Sequence, residues 1–134
     1  MPYMLDANIC IAIMKGHSGV RSNLHMVSPD DIFVSSIVKA ELCYGVSKSV
    51  HRAHNEQALA DFLAVCRILD WPSAAADIYG EIRAVLERQG RIIGANDLLI
   101  AAHANYLDVV LVTNNVREFE RIPALAVENW FDPG

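Results

Sequence analysis

Short β-type runs alternate along this chain with stretches of helical periodicity, and most of the switches are marked by a capping or turn residue. Tyr3-Met4-Leu5 reads as a strand that runs straight into Asp6-Ala7-Asn8 and an apolar helical stretch to about Lys15. Residues 18–27 predict a second short helix. Pro29-Asp30-Asp31 is turn chemistry, Ile32-Phe33-Val34 a strand, and Ser35 and Ser36 are natural N-caps for a helix to about Ser49. From about Arg52 to Cys66, the residues Ala58, Leu59, Phe62, Leu63 and Cys66 keep helical spacing. Arg67-Ile68-Leu69 is a short strand stopped by Trp71-Pro72. Ser73 is placed to cap a long helix with Ile78, Ile82, Val85 and Leu86 on one stripe, ended by Gly90. Ala95 or Asn96 opens the next helix, DLLIAAHANYL, apolar nearly all round and so expected to be buried. Residues 109–112 are a β-branched and leucine run of the kind found in central parallel strands, and residues 125–127 predict a weak last strand. The alternation predicts an α/β fold, a mainly parallel central sheet sandwiched by helices, in a single domain over residues 1–134.

Composition narrows the class. A chain of 134 residues is the size of one ordinary domain and buries roughly 65–70% of its unfolded surface. With 53% hydrophobic and 20% charged residues it is not a disordered chain. Eleven basic against sixteen acidic residues give a net charge of −5, so there is no basic footprint for nonspecific nucleic-acid binding. If the partner is RNA or DNA, a bound cation must supply the attraction. Cys10, Cys43 and Cys66 are an odd count without a CxxC, which points to a reducing compartment and away from disulfides or a zinc ribbon. No signal peptide and no membrane-length apolar run are visible, so a cytoplasmic location is expected.

The acids carry the chemistry. In open α/β sheets the working crevice lies beyond the carboxyl ends of the strands. Asp6 falls at the end of the first strand, Asn114 and Asn115 at the end of the 109–112 strand. Asp97 opens the buried helix, and Glu41 lies just inside the helix after the second strand. Taken singly, Asp6 reads equally as a helix cap and Asp97 as a first-turn acid favoured by the helix dipole. Glu41 shares a helix face with Ile37, Tyr44 and Gly45 and is expected to point inward, where an unpaired carboxylate is costly. Clustered carboxylates make physical sense chiefly around a divalent cation. Oxygen ligands suit Mg²⁺, or Mn²⁺, rather than zinc. Such an ion favours phosphate chemistry.

Other candidates are weaker. His51 and His54 read as a solvated face, and His103 as a hydrogen-bonded residue of the buried helix. Cys10 and Cys43 have no evident base beside them. No phosphate-binding glycine loop or hydrolase elbow is present. A phosphatase with Asp6 as nucleophile would want a second acid two residues on, where Asn8 stands.

Four segments, YMLDANICI, SSIVKAELCYG, GRIIGANDLLIAAHA and VLVTNNVREFERI, in this order and spacing over nearly the whole chain, resemble the PIN-domain ribonucleases, most closely the VapC toxins of bacterial type II toxin–antitoxin pairs. The resemblance implies a PIN-like fold and a Mg²⁺-dependent endoribonuclease that cuts structured RNA, with tRNA, including initiator tRNA, as the substrate class. It places the family's acids on Asp6, Glu41 and Asp97, with metal held by Asp6 and Asp97 and with Glu41 assisting water. The fourth acidic position falls on Asn115, with Glu118 a turn later as the replacement carboxylate. Asn8 and Thr113 match the family and are expected to orient the site, while Ala7 departs from its usual Ser or Thr. Arg83, Arg88, Arg91 and Arg117 are candidates for RNA-backbone contacts. The resemblance further implies a homodimer and a cognate VapB-type antitoxin, with DNA met only through that antitoxin and no membrane partner. Asn115 and Ala7 leave one alternative, a catalytically degenerate PIN-type module that binds RNA or a partner without cutting. Trp130 and Phe131 fit an interface or a packed core.

Overall fold

The computed structural model describes residues 2–131. Its first strand, β1 (Tyr3–Leu5), lies at the centre of a five-stranded sheet. The chain then forms α1 (Ala7–Met14), α2 (Ser18–His25), β2 (Ile32–Ser35), α3 (Ser36–Ser47), α4 (Arg52–Ala64) and β3 (Arg67–Leu69). It continues through α5 (Ala76–Arg88), α6 (Ala95–Leu107), β4 (Val110–Val112), α7 (Val116–Phe119) and β5 (Val127–Glu128). The strand order is β3-β2-β1-β4-β5, and all four pairings are parallel. Successive parallel strands need crossovers, which the helices supply, and this covers the central strands on both faces. β4 is accordingly buried at every residue and apolar throughout.

The order of the strands sets the position of the site. From β1 the chain adds β2 and β3 on one side, then returns to add β4 and β5 on the other. The reversal falls between β1 and β4, which pair Tyr3 with Val110 and Leu5 with Val112. A crevice opens at the carboxyl ends of strands at such a reversal, so the residues following Leu5 and Val112 sit there. They are Asp6 and Thr113.

Local chemistry accounts for most element boundaries. Ser35 caps α3 as expected, its hydroxyl accepting from Ile37 N–H at 3.2 Å. α6 begins at Ala95 and ends at Leu107, closed by Asp108 in the left-handed conformation at φ 55°. Several expected boundaries move. Ser73 does not cap a helix: it opens a one-turn 3₁₀ segment (Ser73–Ala75) that feeds α5 at Ala76, so the turn's own backbone bonds replace the side chain. α2 ends at His25 rather than residue 27, and its cap is His17, whose Nδ1 accepts from Val20 N–H at 3.1 Å. β4 starts at Val110, and the last strand is shifted to Val127–Glu128.

The core joins both layers of helices to the sheet, with Met4, Leu5, Ile9, Val34, Leu86, Ile100 and Leu111 among its fully enclosed members. Trp130 belongs to it. The indole packs against Tyr3 with centroids 5.5 Å apart and donates its N–H to Glu128 Oε1 at 3.3 Å. Phe131 meets the His17 ring edge-on. No helix among the described residues is long and apolar enough to cross a membrane.

Candidate active site

Asp6 ends β1 and caps α1. Its Oδ1 accepts from Ala7 N–H at 2.8 Å, while Oδ2 accepts from Thr113 Oγ at 2.7 Å and from the Asn8 amide at 3.3 Å. The residue is 4% exposed, and burial outweighs these three bonds to push its carboxyl above the ordinary range. The expected cap is made by Oδ1, while Oδ2 is turned to Thr113 and Asn8.

Thr113 is the hub beneath it. Its hydroxyl also accepts from Asn115 N–H at 2.9 Å and lies 3.4 Å from the Asn8 amide, which donates to it. Asn8 Oδ1 accepts from Asn114 N–H at 2.9 Å. The ends of β1 and β4 are thus stitched together by neutral side chains. Through these bonds Asn8 and Thr113 fix the Asp6 carboxylate against the chain that follows β4.

Asp97 stands in the first turn of α6, half-buried, and its carboxyl is pushed up to about 7. Burial is the largest cause, followed by the negative charges of Asp6, Glu118 and Glu41 and a hydrogen bond with Glu118. Asn115, at the start of α7, donates its amide to Glu118 Oε2 at 2.9 Å and so aims that carboxylate. Glu118 reaches the acid group in this way, and Asn115 serves as its support.

Glu41 projects from α3 into the same cluster. Its Oε1 is buried and has no hydrogen-bond partner. Burial raises the carboxyl above its usual range, the charge of Asp6 adds to this, and the Asn96 amide opposes it. Asn96 escaped the sequence reading, where it marked only a helix start; its place one residue before Asp97 was the available signal. The expected inward face of α3 is corrected at its edge. Tyr44 is 65% exposed, with Lys48 Nζ 4.8 Å over its ring, because the helix stripe turns to solvent one turn past Glu41.

The five predicted residues therefore fall close enough to act on one another, with like charge repelling among Asp6, Glu41, Asp97 and Glu118 and hydrogen bonds linking Asn115 to Glu118 and Glu118 to Asp97. Among the described residues no three His, Cys, Asp or Glu side chains converge tightly enough to form a ready-made cation cage. Mg²⁺ does not ask for one, since it commonly binds one or two carboxylates and keeps several waters. An orphaned buried oxygen beside mutually repelling carboxylates fits such an ion. A groove of about 430 Å³ runs between α1, α3 and α4; Glu41 is the one acid in its lining, beside Ala7 and Lys15, and Ile11, Met14 and Val46 form its apolar walls.

Of the remaining candidates, His51 and His54 are exposed, His54 lining the same groove as Glu41, and His103 is enclosed. Burial pushes the Cys10 thiol far up, which removes it as a nucleophile. Arg83 is held by Glu87 at 2.8 Å and by the Tyr79 hydroxyl at 3.0 Å on the outer face of α5.

Acids gathered at the strand reversal of a parallel sheet of this order define a PIN domain, and the sequence pattern of the PIN domain family matches residues 3–125. The chain belongs to that family. Within it, the chain is 49% identical over 132 residues to the ribonuclease VapC2 of Rickettsia felis, covering 97% of this chain and 98% of that one. It is 40% identical over 131 residues to the tRNA(fMet)-specific endonuclease VapC of Shigella flexneri, with the same coverage. The fold superposes on the crystal structure of VapBC2 from Rickettsia felis bound to a DNA fragment from their promoter. The TM-score is 0.91 at 47% identity, covering 97% of this chain and 99% of that one. The chain is a member of the VapC ribonuclease group.

Proposed function

We propose that this protein is the toxin of a type II toxin–antitoxin pair, a Mg²⁺-dependent endoribonuclease that works in the cytoplasm on tRNA. The observation that carries the reading is the buried, unpartnered Glu41 Oε1 set among Asp6, Asp97 and Glu118. An interaction module with no chemistry has no physical need to enclose like charges without a counter-charge.

Asp6 and Asp97 would hold the ion. Bound there, Mg²⁺ neutralises phosphodiester charge and lowers the pKa of water. The chain's own residues do the rest. Thr113 and Ala7 N–H fix the rotamer of Asp6. Asn115 aims Glu118 at Asp97. Glu41, with an oxygen free of protein partners and its basicity raised, accepts a proton from the attacking water. Nothing in these residues reads a base, so the choice of tRNA, with initiator tRNA as the leading candidate, rests on the Shigella flexneri relative's name.

A VapB-type antitoxin would cover the acids, since a cluster of carboxylates accepts an inserted Arg or Lys by charge pairing. Any contact with promoter DNA would then pass through the antitoxin, and the toxin would act as a homodimer. The test uses antitoxin-free protein and end-labelled bulk tRNA, with Mg²⁺, with EDTA, and with Asp6→Asn or Asp97→Asn. Discrete cuts that need the metal and vanish in both variants are expected. A folded, metal-binding wild type that leaves every tRNA intact returns the weight to the non-cutting module.

A further inference from the structure

The helices that carry Glu41 and Asp97 meet a second time, deeper in the fold. Ser35 lies six residues before Glu41, at the cap of α3, and His103 lies six residues after Asp97, within α6. His103 Nδ1 and Ser35 Oγ are joined by a 2.9 Å hydrogen bond, with the two residues 1% and 0% exposed. Between this contact and the acids lies a third link. Trp71, just after β3, donates its backbone N–H to Ser36 Oγ at 3.0 Å and its indole N–H to Leu99 O at 2.8 Å. The pairings run in opposite senses along the two helices: 35 with 103, 36 through Trp71 with 99, and 41 against 96 and 97. Six helical residues span about 9 Å, so the acid contact and the deep contact are separated by the same length on both helices.

This arrangement opposes a specific force. Asp6, Glu41 and Asp97 carry like charge and push α3 and α6 away from each other and from the end of β1. The Ser35 hydroxyl accepts from Ile37 N–H while joined to His103, so it is engaged from two sides. Sliding or splaying the helices would strip buried polar groups of their partners, which is costlier than the net worth of the bonds themselves.

We propose that Ser35, His103 and Trp71 are positioning residues that hold α3 and α6 at the separation that sets Asp97 opposite Asp6 for the cation, with Glu41 beside them. The inference rests on the metal-dependent nuclease reading given above. It makes the neutral pair under the site, and not only the acids, a determinant of metal affinity.

The test is a calorimetric titration of antitoxin-free protein with Mn²⁺, beside cleavage kinetics in Mg²⁺ and a melting curve for each variant. His103→Leu keeps bulk and removes the bond, Ser35→Ala removes the other partner, and His103→Asn returns a polar atom where Nδ1 stands. His103→Leu and Ser35→Ala will each weaken Mn²⁺ binding about tenfold and lower kcat without moving KM. The double variant will be no worse than either single, and His103→Asn will recover most of the loss. Trp71→Phe, which deletes the indole N–H together with part of the ring but keeps the backbone N–H on Ser36, carries the same test should His103→Leu not fold, with about a threefold loss of affinity expected. Folded variants that melt lower yet bind Mn²⁺ like wild type, or single losses that multiply in the double variant, overturn the inference and leave the nuclease reading standing. A wild-type chain that neither binds Mn²⁺ nor cuts RNA overturns both.

Discussion

Neutralising position 97 without changing its shape will stabilise the metal-free protein above neutral pH and leave it indifferent to added Mg²⁺. In the folded chain the Asp97 carboxyl is pushed up from 3.8 to about 7. An acid whose folded value is raised holds its proton more tightly when folded than when unfolded. Its contribution to stability is therefore intact below about pH 4, is lost as pH rises towards 7, and is flat beyond. For a fully enclosed group the shift corresponds to roughly 4 kcal/mol at 1.36 kcal/mol per pH unit. Asp97 is half-buried, and solvent screening brings this to about 2 kcal/mol. For a chain of this length that is about 7 °C in melting temperature.

The assay is thermal unfolding in EDTA from pH 4.5 to 8, comparing wild type with Asp97→Asn. The comparison matters because His103 works in the opposite sense. Burial lowers its pKa, so its contribution grows as pH rises towards 6.5. His103 is common to both chains, and the difference between the two curves isolates the acid. Asp97→Asn is expected to match wild type near pH 4.5 and to melt about 7 °C higher at pH 8. Saturating Mg²⁺ will raise the wild type and leave the variant unmoved. Parallel curves across the whole range, or a wild type that gains on the variant as pH rises in EDTA, would refute the reasoning.

Three further substitutions probe separate links. Thr113→Val removes the hydroxyl that donates to Asp6 and accepts from Asn115; about 2 kcal/mol of stability will be lost in denaturant titration, and cleavage will fall about tenfold or more. Asn115→Asp trades the amide donor on Glu118 for a like charge; the metal-free protein will lose about 1 kcal/mol, and Mg²⁺ will restore it, as paired melting curves can check. Asp108→Gly relieves the left-handed backbone at the end of α6; it will add about 0.5–1 kcal/mol of stability and leave cleavage unchanged.

How much of this was legible beforehand depended on whether a residue announced itself by pattern. Asp6 and Asn115 could be placed because they stand at the ends of apolar strands, and the ends of central parallel strands are where such a fold works. Asp97 was visible because a charged residue opening an otherwise apolar helix has to be explained. Thr113 and Glu118 came from the family resemblance, and the hydrogen bond between Asn115 and Glu118 is a structural fact that no spacing rule contains. Asn96 was missed because an amide at a helix start looks like ordinary capping chemistry. Periodicity put Glu41 on the right face of α3 but said nothing about where that face ends, which is why Tyr44 was expected inside and lies in solvent. Ser73 misled for a related reason. Serine before an apolar helix suits a cap, yet a backbone turn satisfied the same groups first.

The neutrality of the site's supports explains how an acidic protein can serve a polyanionic substrate. The partners of the four acids are a threonine hydroxyl, asparagine amides, a backbone N–H and one another. A lysine or arginine in any of those places would relieve the repulsion and stabilise the fold, but it would also consume the negative charge. The ion pairs Arg52–Glu56 and Arg83–Glu87 are kept on exposed helix surfaces instead. The chain thus holds its acids in geometry without neutralising them, at a cost in stability that the buried bonds around Thr113 and the apolar sheet offset. A site built in this way stays hungry for a cation from outside. Mg²⁺ and a basic side chain of an antitoxin would answer the same electrostatic demand, so the repulsion that prepares the site for catalysis also makes it open to inhibition by charge.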